Sequence, residues 1–530
     1  MKISRHNGIG PRRVLLAALA AACGTALTAA DVNVLDHGVV GDGETNNTAA
    51  IAEALAACAG SGGGKVVFPA GRYLTGSVHL EDDITLYLAE GAELLYSGDP
   101  ADSPLVRTRW EGTMAYTHGP LVYANGKKNV GIAGRGTING QGENWWWRNL
   151  DDKSLYDRTM PPFRAWKAVM ERIQNGEEVG IDEFEEPAKF LRPSLVVFFE
   201  CENVRVEGVT LYNSPMWMLH PIFCENVLVT GVSFVSHGAN GDGIDIDSSR
   251  NVRVSDCYFD TEDDCIVIKS GRDADGRRIG RASEFITITN CVMYRGHGAV
   301  VIGSEMSGGV RDVSASNIVC YGTDRGIRLK TGRGRGGVME NMRFDNWVIH
   351  EAGSEAIQIS TSYVDLPPEE FSERTPTIRN ISISNITIVD ARQAINIAGL
   401  EEQPVEGIRL SDIRADGQVG MTCELANDIE LHDVRLDVDY GPAFRFSNAE
   451  NLLLDNVTCQ SSIREPVLAL NNAREVWLRD SRSFGGNRTY LQVQGGASRG
   501  ILLEGNKLSA SSTPFITGPD VPEEAVVIKN

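Results

Sequence analysis

The chain has 530 residues and a formal net charge of −21, with 56 glycines and few aromatic residues. Such acidity speaks against nucleic acid or an anionic membrane surface as a partner, since both repel a polyanion. Ten cysteines are too few for a disulfide framework at this length, and the lack of a CxxC pair or His/Cys cluster argues against zinc.

At the start, Lys2, Arg5, Arg12 and Arg13 precede an apolar run of nine residues from Val14 to Ala22, and small residues continue to Ala30. This pattern predicts a signal peptide over residues 1–30, and hence export to the periplasm or the medium. The run is too short to span a bilayer, which takes about 20 residues. Ala20-Ala21-Ala22-Cys23 loosely matches a lipoprotein cleavage box but lacks its usual leading Leu. Cleavage near Ala30 is therefore preferred to a lipid anchor on Cys23.

Residues 31–530 contain no Pro/Ser linker and no low-complexity block, so they are read as a single domain. The Ala-rich stretch from Thr48 to Ala59 predicts a short N-terminal helix. Val66–Phe68 and Ile84–Leu88 then begin a series of alternating strand segments. The register fails near residues 143–190, a charged stretch that is partly helical in pattern from Phe163 to Glu178. That stretch reads as a surface insertion.

One pattern recurs along the chain: Val252-Arg-Val-Ser-Asp256, Ile286-Thr-Ile-Thr-Asn290, Val313-Ser-Ala-Ser-Asn317 and Ile381-Ser-Ile-Ser-Asn385. Alternating apolar residues end at a polar turn residue each time. Aligned on that residue, the repeat passes through Gly134, Gly208, Gly231, Asp256, Asn290, Asn317, Asn346, Asn385, Asp412, Asp433, Asn456, Asp480 and Gly505, mostly 21 to 29 residues apart. Short strands at that period predict a right-handed parallel β-helix, its open N-terminal end covered by the helix. A propeller or sandwich would require clear hairpin signals instead. The register assigns Cys257 and Cys291 to an interior column, and lets Cys201 and Cys224 either bond or merely stack.

A second strand in each coil aligns without gaps: Gly243–Asp247, Cys265–Lys269, Ala299–Gly303, Gly326–Lys330 and Ala356–Ser360. Ile244, Ile246, Ile266, Ile268, Val300, Ile302, Ile327 and Leu329 point inward. Asp245, Asp247, Lys269, Arg328 and Lys330 point outward. Just before this strand, Asp242 and Asp264 share a column on adjacent coils, with Asp263 one column over and His297 beside it. A lone Asp at a turn usually caps backbone. Three stacked carboxylates beside a histidine and two cations instead suit general acid and base work, one pKa being raised by mutual repulsion.

Asn240-Gly241-Asp242, Asp263-Asp264, Gly296-His297-Gly298 and Arg328-Leu329-Lys330 together resemble the four signature motifs of the family 28 polygalacturonases, in order and in coil spacing. Gly241 stands where many members carry Thr, and Leu329 where many carry Ile. The resemblance implies hydrolysis of α-1,4-galacturonosidic bonds with inversion and no cofactor. It makes Asp263 the general acid, with Asp242 and Asp264 activating water and His297 tuning the acid. Arg328 and Lys330 would bind the substrate carboxylate, and Tyr363 would line the same subsite. Lys269 and Arg272, with the arginines at 277, 278 and 281 and those at 325, 333 and 335, suggest a local cationic groove for a pectic chain.

The insertion, the Gly271–Arg281 loop and a length beyond a bare solenoid would wall off one end of the groove, so cleavage is expected to be exo. The overall pattern, including Ser304-Glu305-Met306-Ser307-Gly308-Gly309, also resembles the bacterial exo-acting branch of that family. The protein is expected to act as a monomer. The alternatives are a rhamnogalacturonan-acting hydrolase, a calcium-dependent pectate lyase whose metal would sit on the aspartates, and a non-enzymatic glycan-binding β-helix.

Overall fold

The computed structural model describes residues 31–145, 160–363 and 366–529; the expected signal peptide and Cys23 lie outside them. The fold is the expected right-handed parallel β-helix. Among the described residues, thirty-six strands hydrogen-bond coil to coil, and all of these pairings are parallel. Val252, Ile286, Val313, Met342, Ile381 and Ile408 stack as one register column, which continues through Ile429, Leu452, Val476 and Ile501. All ten are buried. Each coil closes only because its neighbours cover this column.

All thirteen turn residues used for the alignment have positive φ, from 50° to 123°. Left-handed backbone is costly for most side chains, and Gly, Asn and Asp tolerate it best. The asparagines also bond along the stack: the Asn346 amide donates to Asn317 Oδ1 at 2.8 Å, and the Asn317 amide to Asn290 Oδ1 at 3.2 Å. A second such ladder, Asp83–Asn129–Asn203–Asn226, runs along another edge and was not recognised from sequence. Its residues precede those of the first ladder by five positions, Asn129 before Gly134, Asn203 before Gly208 and Asn226 before Gly231, so the two ladders flank the same strand.

The capping helix spans Thr48–Gly60 and buries Ile51, Ala54, Leu55 and Cys58 against the first coils. These positions lie on one helical face. All nine described cysteines are buried and free, so Cys201 and Cys224 stack rather than bond. Among the described residues, no helix is long and apolar enough to cross a membrane.

One element departs from the solenoid. Leu105–Trp110 and Thr113–His118 form an antiparallel hairpin, turned by Glu111 (φ 44°) and Gly112 (φ 77°). It runs along the helix axis and steps from coil to coil. Arg107 lies over Phe199, Arg109 over Phe223, and the Gly112 carbonyl accepts from Arg272 N at 2.9 Å. The insertion helix Pro161–Gln174 packs on the hairpin's outer side, where Trp110 meets Trp166 and Phe190 edge-on.

The ladder gives a direct test. Asn346→Ala should lower stability by about 1–2 kcal/mol, since alanine pays the left-handed penalty and loses the hydrogen bond. Asn346→Gly should cost less, because it loses only the bond. Equal melting temperatures for the two variants would show that backbone conformation is not what the position selects for.

Candidate active site

The predicted stacking is present. Gly243 N donates to Asp264 O at 3.0 Å and Cys265 N to Gly298 O at 2.8 Å, which sets Asp242, Asp264 and Gly298 in one column. The loop that carries Asp242 is held by a residue sequence reasoning missed, Arg192. Its guanidinium donates to the carbonyls of Pro215 and Ala239 at 2.6 and 2.7 Å and to Asn240 Oδ1 at 2.7 Å. Nothing in the sequence around Arg192 marks it, because the connection is made across coils.

The glycines of these motifs are required by crowding. A Cβ at Gly298 would lie 2.4 Å from Val301 Cγ2 and 3.0 Å from Asp264 Oδ1. At Gly241 it would meet the Gly238 carbonyl at 2.8 Å and Ser236 Oγ at 3.0 Å, so the loop here is closed too tightly for the Thr many members carry.

One oxygen from each of Asp242, Asp263 and Asp264 falls in a cluster no more than 4.8 Å across. This is closer than the roughly 6.5–9.5 Å expected for an inverting pair, so carboxylate spacing does not select inversion. A single water about 2.75 Å from two such oxygens would bridge a gap of this size. Asp242 is buried and its Oδ1 has no hydrogen-bond partner. Burial, reinforced by the charges of Asp263 and Asp245, pushes its pKa well above the ordinary carboxylate range. Burial also works to raise Asp263, but His297 prevails and Asp263 is held at about 2. His297 Nδ1 lies 3.0 Å from Asp263 Oδ1, and that bond lifts the imidazole to about 9.

Lys330 Nζ donates to Asp264 Oδ2 at 2.7 Å, and Arg328 approaches Asp264 Oδ1 at 3.6 Å. Both cations lie over the Tyr363 ring, at 5.4 and 5.7 Å. With Lys330, Arg328 and His297 already against the trio, a divalent cation would meet positive charge there, unlike a calcium site built of oxygen ligands alone.

The trio opens into a pocket of about 550 Å³ that also receives Tyr363, Lys269 and Arg272, within the usual range for ligand sites. Two expectations need correction. Asp245, Asp247 and Lys269 do face away from the coil interior, yet all three are buried. Asp247 takes Arg109 in an ion pair of 2.5 Å, and Lys269 is committed to Glu305 at 3.0 Å and Asp245 at 3.6 Å.

Nor is the site simply cationic. Lys269, Arg272, Arg325, Arg328, Lys330 and Arg335 line it, but so do six carboxylates, including Glu111, Glu305 and Asp324. The arginines at 277, 278, 281 and 333 do not line it. Arg277 and Arg281 are tied to backbone carbonyls, Arg278 to Asp275, and Arg333 to Glu402.

A parallel β-helix bearing a carboxylate trio, one acid of which is bonded to histidine, defines a glycoside hydrolase. Residues 185–434 match the family described as glycosyl hydrolases family 28, and residues 31–88 match one described as rhamnogalacturonase A/epimerase, pectate lyase-like. A probable polygalacturonase of Vitis vinifera is 31% identical, over 72% of this chain and 73% of that protein. An exo-poly-α-D-galacturonosidase of Dickeya chrysanthemi is 27% identical, over 81% of this chain and 74% of that one. The solved structure of a hyperthermoactive exopolygalacturonase from Thermotoga maritima is 37% identical, with a TM-score of 0.67 over 74% of this chain and 90% of the other. The chain belongs to glycoside hydrolase family 28.

Because ionised Asp263 is what raises His297, Asp263→Asn should return the imidazole toward its ordinary value of about 6.5. The same variant should lower kcat about 10²–10⁴-fold. Histidine-selective NMR titration and steady-state rates check both. Retention of more than a tenth of the wild-type kcat would remove Asp263 from the mechanism.

Proposed function

We propose that the protein hydrolyses the α-1,4-galacturonosidic bonds of pectic polygalacturonan, releasing product from a chain end and inverting the anomeric centre. The observation that carries the exo assignment is the hairpin. A polymer cleaved internally must lie in a groove open at both ends. Here the outward face of the second strand, where such a groove would continue toward the N-terminal coils, is covered as far as Arg272. The 143–190 insertion contributes indirectly. None of its described residues lines the pocket; its helix backs the hairpin that does.

In this reading Asp263 protonates the departing glycosidic oxygen, and Asp242 with Asp264 orients and deprotonates a water between them. His297 sets the charge of Asp263. Arg328, Lys330 and Tyr363 receive a galacturonate ring and its carboxylate, and Arg272 faces the sugar at the hairpin end. Lys269 acts mainly by fixing the buried wall through Glu305 and Asp245. Polygalacturonase and exo-galacturonosidase relatives support the substrate class. The rhamnogalacturonase match ends at residue 88, before the first pocket residue, and so concerns the cap rather than the site. The protein is further read as exported through residues 1–30 and as acting alone, without a metal.

Early products from polygalacturonate test this. Monogalacturonate, or one fixed short product, with a slow fall in viscosity is expected, unchanged by a chelator. The first-formed anomer by NMR should be inverted. A ladder of oligomers with rapid viscosity loss would overturn the exo assignment, and chelator-sensitive unsaturated product would replace hydrolysis with elimination.

A further inference from the structure

Glu111 sits at the hairpin tip, on the pocket wall, in left-handed backbone where a hairpin turn favours Asn, Asp or Gly. A glutamate pays for that conformation, which points to a use for its side chain. The tip is fixed in place. Gly112 O accepts from Arg272 N, and a Cβ on Gly112 would come within 2.8 Å of Glu305. Further back, Arg109 locks the hairpin to Asp247 and Ser248, both buried. The Glu111 carboxylate bonds to Arg272 at 3.1 Å through one oxygen, Oε2.

The pocket has a direction. Asp263 takes its histidine from the next coil toward the C terminus, while Asp242 lies one coil toward the N terminus. A leaving group protonated by Asp263 therefore departs toward Arg325, Arg328 and Tyr363. The sugar that keeps the anomeric carbon lies toward Trp217, Asn240 and Glu111. In an α-1,4-linked chain that end sugar carries a free C4 hydroxyl only if it is the non-reducing terminus. At an internal position the C4 oxygen is an ether with no proton to give.

We propose that Glu111 reads the end of the substrate, accepting a hydrogen bond from the C4 hydroxyl of the non-reducing terminal galacturonate. The proposal rests on the exo-acting reading. A carboxylate is acceptor-only when ionised, so it pairs with the hydroxyl and repels an ether oxygen. Arg272, held beside it, remains available to that sugar's carboxylate. A site that bonds a substrate hydroxyl rejects the analogue lacking it strongly, by up to about 10⁴–10⁵-fold.

The test compares saturated trigalacturonate with its 4,5-unsaturated counterpart, which has no C4 hydroxyl at the non-reducing end. Wild-type kcat/KM should favour the saturated substrate by at least about tenfold. Glu111→Ala should lose about 10²-fold on the saturated substrate and at least ten times less on the unsaturated one, so that discrimination collapses. Glu111→Gln, which keeps an acceptor oxygen, should fall between and carries the test if the alanine variant does not fold. Equal losses on both substrates, or none, would reduce Glu111 to a support for Arg272 and overturn the proposal. If wild-type enzyme still releases monomer from polygalacturonate in that case, the exo reading stands without Glu111. An oligomer ladder from wild-type enzyme would overturn both.

Discussion

Coil register is the constraint on which the rest of this molecule depends. Residues 242, 264 and 298 are far apart in the chain, and they become neighbours only because each coil returns its second strand to the same place. A slip of one residue would turn a coil's outward side chains inward. The left-handed turn residue in every coil, with its asparagine ladder, prevents that slip locally. The column of buried aliphatic residues penalises it globally. The active site is therefore a by-product of stacking. Asp242, Asp263 and Asp264 are brought together by backbone pairing, and Lys330 on Asp264 and His297 on Asp263 then hold two of them in place.

The hairpin depends on a different kind of interaction. Arg109 and Asp247 are completely buried, and the desolvation of two charges offsets much of their attraction, so the pair adds little net stability. What it supplies is position. Removing either partner would leave the other charge buried and alone, which costs about 3–5 kcal/mol, so the hairpin has one low-energy seat on the strand face. His220, 3.6 Å from the far oxygen of Asp247, and Ser248 complete the surroundings of the pair. The aromatic cluster of Trp110, Trp166, Phe184 and Phe190 then presses the hairpin down from outside. An insertion that never reaches the pocket thus shapes it through an intermediary.

Much of this was legible in the sequence. The turn residues, the inward isoleucines and the stacking of Asp242 on Asp264 follow from a period and a two-residue alternation, both properties of backbone alone. The hairpin was not read. Its turn is Glu-Gly in place of the Asn-Gly or Asp-Gly that signals a two-residue loop, and Arg107, Arg109 and Thr108 blur its alternation. Arg109 is polar in composition but buried, and Arg107 stays exposed while lying over a ring; their partners are Phe199, Phe223 and Asp247 on coils about 90 to 140 residues later, and no local pattern carries such pairing. Arg192 escaped for the same reason. The arginines at 277, 281 and 333 erred in the other direction. They are close in sequence to true pocket residues, yet each is consumed by a carbonyl or a glutamate.

The balance of charge in the pocket bears on how an acidic protein handles a polyanion. Were the wall purely cationic, the three aspartates would all ionise and no proton would remain for the leaving oxygen. Burial instead pushes Asp242 well above the ordinary carboxylate range, while the bond to His297 holds Asp263 low. With oxygens 4.8 Å apart at most, Asp242 and Asp263 lie close enough for the charge of one to act on the other. A sugar carboxylate beside Lys330 and Arg328 would draw those cations off Asp264, and a glycosidic oxygen at Asp263 would reward protonation there. In the proposed mechanism a proton at Asp263 would then serve the leaving oxygen, with Asp242 and Asp264 placed around the water. The site is near neutral so that the substrate's own charge can complete it.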